Sequence, residues 1–420
     1  MQEAALQATA QHDNVIILSA TGSGKTLAYL LPVLRSLEPG NLNTQAIIVV
    51  PSRELALQIE QVYKTMGTGF KITCCYGGHK REIEENNLIQ PPALIVGTPG
   101  RIGDHLRRNN ITAESITTLV LDEFDKSLEL GFQEEIAFIT ASLPAVKKRI
   151  LTSATEAVEI PSFIGVEGAE KLNFLPEGGA EAPALLIQQL QSPEKDKAET
   201  LFRMLCHIGN SSTIIFCNHR ESVERTSELL SAKSIINTFY HGAMEQRDRE
   251  VALAKFRNGS VNFLVTTDLA SRGLDIPNIR YIIHYHLPAT PEVFTHRNGR
   301  TARMDASGTA VLILNEEERL PGYIPGPVAE INLPDAATLP DKPKWTTLFI
   351  GAGKKDKVNK IDIVGFLSNR GELKKEDIGL IEVKDFFSFV AVRKTKAGNV
   401  LQLIKDHRLK NKKIKIEVAK

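Results

Sequence analysis

From its start the chain alternates short β-branched and aliphatic runs with helix-length amphipathic segments. Runs at 15–18, 46–50, 72–75, 93–96, 118–121 and 149–152 predict strands, and the segments between them predict helices. That rhythm is the βαβ repeat of a parallel sheet covered by helices on both faces. It breaks at residues 174–183, where Gly and Pro suit a surface linker, and restarts with strands expected at 213–216, 235–239, 263–265, 281–284 and 310–314. A second loose stretch, 320–343, holds six prolines. Beyond it the order changes to a strand at 347–350, a helix at 357–368, strands at 379–383 and 386–392, a helix near 398–406 and a strand at 413–418. This βαββαβ order suits a small ferredoxin-like α+β sandwich, a common RNA-binding scaffold. The expected architecture is therefore two α/β parallel-sheet domains, 1–175 and 184–318, followed by a small domain over 344–420.

The 420 residues, 42% of them apolar, suit a multidomain globular chain. No apolar run approaches the ~18 to 20 residues of a membrane span, and the first residues show neither signal nor transit pattern, so a cytoplasmic protein without a membrane partner is expected. Cys74, Cys75, Cys206 and Cys217 have no disulfide-like or metal-like spacing and read as free buried thiols. The net charge of +1 conceals a division: residues 342–420 carry 20 Lys+Arg against 9 Asp+Glu, a net of +11, leaving −10 for the rest. A basic tail on an acidic body is the footprint of a polyanion partner.

Chemistry enters directly after the first strand, at Ala20-Thr21-Gly22-Ser23-Gly24-Lys25-Thr26. Glycines let backbone N–H groups close on phosphate oxygens, the helix start adds partial positive charge, Lys25 reaches terminal phosphates and Thr26 can ligate Mg²⁺. Ser19 stands where the general P-loop pattern has its first glycine. At the end of the strand at 118–121 come Asp122-Glu123-Phe124-Asp125. Ligands bind at that edge of a wound sheet, so Asp122 can hold Mg²⁺ and Glu123 can polarise an attacking water. Acids capping a helix give the same pattern without any catalysis.

With Ser153-Ala154-Thr155 after another strand, residues 2–316 resemble a DEAD-box RNA helicase. The resemblance implies two RecA-like domains, ATP as nucleotide and Mg²⁺ as cofactor. Pro51-Ser52-Arg53-Glu54-Leu55-Ala56, Gly77-Gly78 and Thr98-Pro99-Gly100-Arg101 are similar to the family's RNA-contact elements, implying Arg53, Gly78, Thr98 and Arg101 at RNA. Ser153 and Thr155 imply interdomain coupling. Ile214-Ile215-Phe216-Cys217-Asn218 and Gln246-Arg247-Asp248-Arg249 resemble the fourth motif and its follower, and the run Thr267 to Asp275 resembles the fifth. In the fifth, Thr267 is implied at RNA and Asp275 near the ribose. His296-Arg297-Asn298-Gly299-Arg300-Thr301-Ala302-Arg303 resembles the sixth. Its three arginines suggest charges supplied across a cleft; the family implies Arg300 and Arg303 as the fingers that meet γ-phosphate charge, and His296 as a coupling residue. Two departures stand out. The family's adenine-reading element opens with an aromatic upstream of its glutamine, whereas Gln2 is nearly the first residue, and Phe124 replaces alanine in the acidic motif.

The basic tail resembles the carboxyl-terminal RNA-binding domain of DbpA-type helicases, which implies structured large-subunit (23S) ribosomal RNA or its precursor particles as partner. Lys354, Lys355, Lys412 and Lys413 are candidate phosphate contacts. Phe387 and Phe389 share a strand face that serves either base stacking or a buried core. The expected function is an RNA-stimulated ATPase that unwinds structured RNA locally, as a monomer, during ribosome assembly. An ATP-gated RNA clamp and a DNA helicase of the same superfamily are the alternatives.

Overall fold

The computed structural model describes residues 1–20, 23–78, 80–154, 160–175, 185–271, 279–299, 301, 308–324, 326–334 and 336–420. Thr21, Gly22, Thr155, Asp275, Arg300 and Arg303 lie outside the described residues.

The first sheet is built from β1 (Asn14–Ser19), β2 (Ala46–Val49), β3 (Ile72–Cys75), β4 (Leu94–Gly97), β5 (Thr118–Leu121), β6 (Lys148–Ser153) and β7 (Glu170–Phe174). All pairings are parallel, in the order β3-β4-β2-β5-β6-β1-β7. Strands β2, β4 and β5 are buried at every position, which is why they read as unbroken apolar runs. Helices on the two faces complete two cores, one around Ile17, Ile48 and Val96 and the other around Ile47, Ile95 and Leu121.

The second sheet comprises β8 (Leu185–Gln191), β9 (Thr213–Phe216), β10 (Asn237–Tyr240), β11 (Phe263–Thr266), β12 (Tyr281–His284), β13 (Gly308–Leu314) and β14 (Ala329–Glu330). Its order, β10-β11-β9-β12-β13-β8-β14, repeats the first sheet strand for strand. Strands β7, β8 and β14 were not expected from the pattern. β7 and β14 are exposed or half-exposed edge strands, and β8 is rich in glutamine with one buried position.

The third sheet is antiparallel, β16 (Ile378–Val383), β17 (Ser388–Arg393), β15 (Trp345–Ile350) and β18 (Ile416–Val418) in that spatial order, with helices Lys360–Asn369 and Ala397–Ile404 on one face. Leu348, Ile350, Val390 and Val392 point to those helices and form the domain's own core. The alternate positions face the helix Gln246–Arg257 of the second wound domain, which belongs to the same compact unit. Phe389, 1% exposed, packs with Val251, Ala254 and Ala419, flanked by Phe349 and Phe387. Arg257 pairs with Glu382 at 2.9 Å, Asn258 donates to Thr347 Oγ1 at 2.8 Å, and the Arg247 guanidinium lies 4.8 Å from the Phe349 ring centroid. Of the two roles open to the phenylalanine face, the structure shows the buried one for Phe389, which is left no surface for a base, while Phe387 is half-buried at its edge.

The four cysteines are free, two buried and two partly so. Among the described residues no helix is long and apolar enough to cross a membrane.

Candidate functional site

Parallel strands put all their carboxyl ends on one edge, spaced by about 4.8 Å per strand. Along the first sheet that edge separates the predicted motifs into two halves. From β3, β4 and β2 emerge Gly77-Gly78, Thr98-Pro99-Gly100-Arg101 and Ser52-Arg53; from β5, β6 and β1 emerge Asp122-Glu123, Ser153 and the loop containing Ser23, Gly24, Lys25 and Thr26. Register aligns the second half closely, with Leu18 opposite Ser153 and Leu121 opposite Leu151.

In that half, Gly24 has φ +94°, a left-handed conformation that opens the helix Lys25–Ser36. A Cβ on Gly24 would lie 2.7 Å from Gln2 Nε2, so the glutamine rests directly on the loop, and the left-handed backbone is what favours glycine there. Ser19 closes the loop from inside, donating to Ser23 Oγ at 2.6 Å, and Lys25 Nζ is bonded to the carbonyls of Ser19 and Ala20. Asp122 is 3% exposed. Its Oδ1 accepts from Thr152 Oγ1 at 2.5 Å and from the Glu123 N–H at 3.1 Å, while Oδ2 accepts from the Tyr29 hydroxyl at 2.8 Å. Glu123 itself has φ +47°, a left-handed conformation that costs a non-glycine residue energy and is held by the bonds from its N–H to Asp122 and Thr152. Phe124 is 2% exposed in the second core, so the departure from alanine is a packing change. Ser153 is buried at the end of β6. The donor set fits a triphosphate with a divalent cation: a glycine loop open to backbone approach, a lysine at a helix start, and a buried carboxylate beside a threonine.

The other half forms a cleft of about 390 Å³ lined by Gly77, Arg81, Thr98, Gly100, Arg101, Asp104 and Phe132. Thr98 precedes the helix Pro99–Arg107 at its N-cap, and Ser52 caps the helix Arg53–Thr65 by accepting from Leu55 N. Gly78 has φ +93°. The Arg53 guanidinium lies 4.5 Å from the Tyr76 ring centroid. Glu84, missed by motif reading, organises this side from within. At 1% exposure it accepts from Tyr76 N at 2.8 Å, from Arg101 at 3.0 Å and lies 2.7 Å from His105 Nε2. The Cys75 thiol is close by, and burial first, then Glu84, raises its pKa beyond the physiological range. Arg101 beside Glu84 already supplies the positive charge that a cation would bring.

In the second unit, Arg297 corrects one expectation. It is fully buried and donates to Asp268 at 2.6 and 3.2 Å, to the His286 carbonyl at 2.8 Å and to Asn218 Oδ1 at 2.8 Å. Its charge is thus spent within its own domain, joining the fourth, fifth and sixth motifs. Neighbouring His284, stacked 5.3 Å from Phe294, is held neutral with its pKa pushed down to about 3, first by burial and then by Arg297. His296 is buried on the helix Pro291–Asn298, and Thr267 follows β11, half-buried.

In the third domain Lys354, Lys355, Lys412 and Lys413 are exposed, on two segments that the Lys412–Asp356 pair joins. Lys412 pairs with Asp356 at 3.0 Å, tying the loop after β15 to the loop before β18, and Lys410 pairs with Asp362 on the helix Lys360–Asn369 at 2.9 Å.

Residues 1–161 match the DEAD/DEAH box helicase family, 196–305 the helicase conserved C-terminal domain and 347–418 the DbpA RNA binding domain. Over its full length the chain is 33% identical to the ATP-dependent RNA helicase DbpA of Escherichia coli (strain K12), covering 94% of that protein. It is 29% identical to DbpA of Bacillus subtilis (strain 168), again over the full chain and 94% of the relative. Among solved structures it is similar to S. cerevisiae Dbp5 bound to RNA and ADP BeF3, with TM-score 0.66, 27% identity and coverage of 75% of this chain and 83% of that one. An ordered motif series on two sheets of one topology, a basic third domain and a full-length relative at this identity place the chain among the DEAD-box ATP-dependent RNA helicases, with a DbpA RNA-binding domain at its carboxyl end.

Proposed function

We propose that this helicase hydrolyses ATP at the carboxyl ends of β1, β5 and β6, grips RNA at the ends of β3, β4 and β2, and remodels structured large-subunit (23S) ribosomal RNA during ribosome assembly. The observation that carries the reading is the division of one sheet edge into a phosphate-binding half and a half lined by arginines, glycines and a threonine. Backbone N–H groups of the loop through Thr21, Gly22, Ser23 and Gly24, with Lys25, bind phosphates, and Gln2 reads adenine, a role that its position against Gly24 supports. Lys25 exchanges its carbonyl partners for phosphate oxygens. Mg²⁺ held by Thr26 and Asp122 would neutralise phosphate charge. Glu123, on a backbone strained into one orientation, takes the proton of the attacking water. Arg300 and Arg303 meet the charge that develops on the γ-phosphate, and Asp275 approaches the ribose. Arg53, Gly78, Thr98, Arg101 and Thr267 hold the RNA backbone, and Ser153, Thr155 and His296 couple RNA binding to turnover. The exposed lysines of the third domain, within a segment of net +11, support capture of a folded polyanion.

The test is ATP turnover with RNA, with DNA and without nucleic acid. RNA alone should stimulate strongly, and Glu123→Gln should abolish turnover while nucleotide and RNA binding persist. Near-normal turnover in Glu123→Gln, or equal stimulation by DNA, refutes the assignment.

A further inference from the structure

Tyr29 belongs to none of the motifs, yet it bonds one of their residues. It lies on the helix Lys25–Ser36, is fully buried, and its hydroxyl donates to Asp122 Oδ2 at 2.8 Å. Thr26 lies three residues earlier on the same helix, and so on the same face. With Oδ1 already accepting from Thr152 and the Glu123 N–H, the Asp122 carboxylate is fixed at both oxygens by donors of this chain. We infer that Tyr29 is a positioning residue: its phenol, carried one turn after Thr26 on the phosphate-loop helix, holds Asp122, at the end of β5, and so sets the spacing of the two groups proposed to hold Mg²⁺. The inference rests on that reading of Thr26 and Asp122. A phenylalanine would fill the same volume in the core formed with Ile17, Ile48 and Ile150, so packing alone does not call for the hydroxyl.

Tyr29→Phe keeps the ring and removes the tie. A hydrogen bond to an ionised acceptor commonly carries a factor of about ten to a hundred in an equilibrium constant. The readouts are the Mg²⁺ concentration that half-saturates binding of a fluorescent ADP analogue, the same midpoint for RNA-stimulated turnover, and analogue binding in EDTA. Tyr63→Phe, at another tyrosine buried in the same core, is the matched control. Both Mg²⁺ midpoints should rise about tenfold or more in Tyr29→Phe and stay at the wild-type value in Tyr63→Phe, with metal-free binding unchanged in both. A wild-type Mg²⁺ midpoint in Tyr29→Phe, or an equal rise in Tyr63→Phe, overturns the inference. Asp122→Asn separates the two levels. If its midpoint also stays at the wild-type value, the metal reading of Asp122 fails; if only Asp122→Asn shifts, the role of Tyr29 alone fails.

Discussion

Replacing Arg297 with lysine keeps one positive charge in the second unit but removes the fork that reaches three separate acceptors. An ammonium can follow Asp268, which leaves Asn218 Oδ1 and the His286 carbonyl without their charged donor. Two such bonds, at about 1.5 to 3 kcal/mol each and softened by relaxation, amount to roughly 3 to 5 kcal/mol. Against a typical total of about 5 to 15 kcal/mol, that is a large fraction of the stability. Trp345, the single tryptophan, lies on β15 in the same unit with the Arg393 guanidinium 4.6 Å from its ring centroid, so its fluorescence reports unfolding of this unit. At a urea dependence of about 2 to 3 kcal/mol per molar, the midpoint should fall by roughly 1 to 2 M. A second reporter is the His284 proton. Arg297→Gln removes the charge that contributes to its depressed pKa, so titration should move upward yet stay below the ordinary histidine value, because burial is the larger cause. An unchanged urea midpoint and an unchanged His284 titration, with turnover lost, would show that Arg297 serves a ligand and would refute the internal clasp.

Four further outcomes are expected. His284 and His286 have pKa values lowered to about 3 and about 4, in both cases first by burial, so the folded state binds fewer protons than the unfolded one. Stability is therefore complete above the ordinary histidine pKa and is lost as pH falls below it, by up to ~1.4 kcal/mol per pH unit for buried His284 and less for half-buried His286; Trp345-monitored urea midpoints at successive pH values test this. Glu84→Ala should release Arg101 and raise the RNA concentration needed for half-maximal ATP turnover about tenfold at unchanged saturating rate, with Glu84→Gln milder. Arg257→Glu and Glu382→Arg should each destabilise the docked third domain by about 1 to 2 kcal/mol, and the double exchange should recover most of it in a double-mutant cycle. Deleting residues 344–420 should preserve turnover at saturating nonspecific RNA, flatten the salt dependence of RNA binding and abolish preference for structured ribosomal fragments; an unchanged salt slope and preference would refute a targeting role.

Much of this was legible because parallel sheets write themselves plainly. Strands such as β5 and β9, buried at every residue, cannot be mistaken for amphipathic helices, and each motif of the first domain follows a strand end. Edge strands carry no such signature: β7 spends Glu170, Lys171 and Asn173 on solvent or partial exposure, and β14 has two exposed residues. The groups that organise the sites escaped for a different reason. Tyr29 meets Asp122 across 93 residues, Arg297 meets Asn218 across 79, and neither pairing is recognisable until the strands come together. Glu84 lies 17 residues before Arg101 on a separate helix and reads as an ordinary solvated acid. Phe387 and Phe389 were ambiguous in principle, since period-two spacing serves a ligand face and a core face alike.

Burial of the third sheet on both sides changes what kind of attachment the carboxyl-terminal domain is. A bead on a flexible tether raises local concentration in every direction, with a reach set by tether length. A domain clamped through Phe389, Glu382 and Thr347 onto the helix Gln246–Arg257 acts instead as a bracket. RNA gripped at its exposed lysines would leave the bracket at one bearing relative to the second wound domain, and the position of the strained segment would be fixed by the span and angle of the RNA fold. Selection would then fall on the three-dimensional layout of the substrate, with little dependence on base sequence where the strands part.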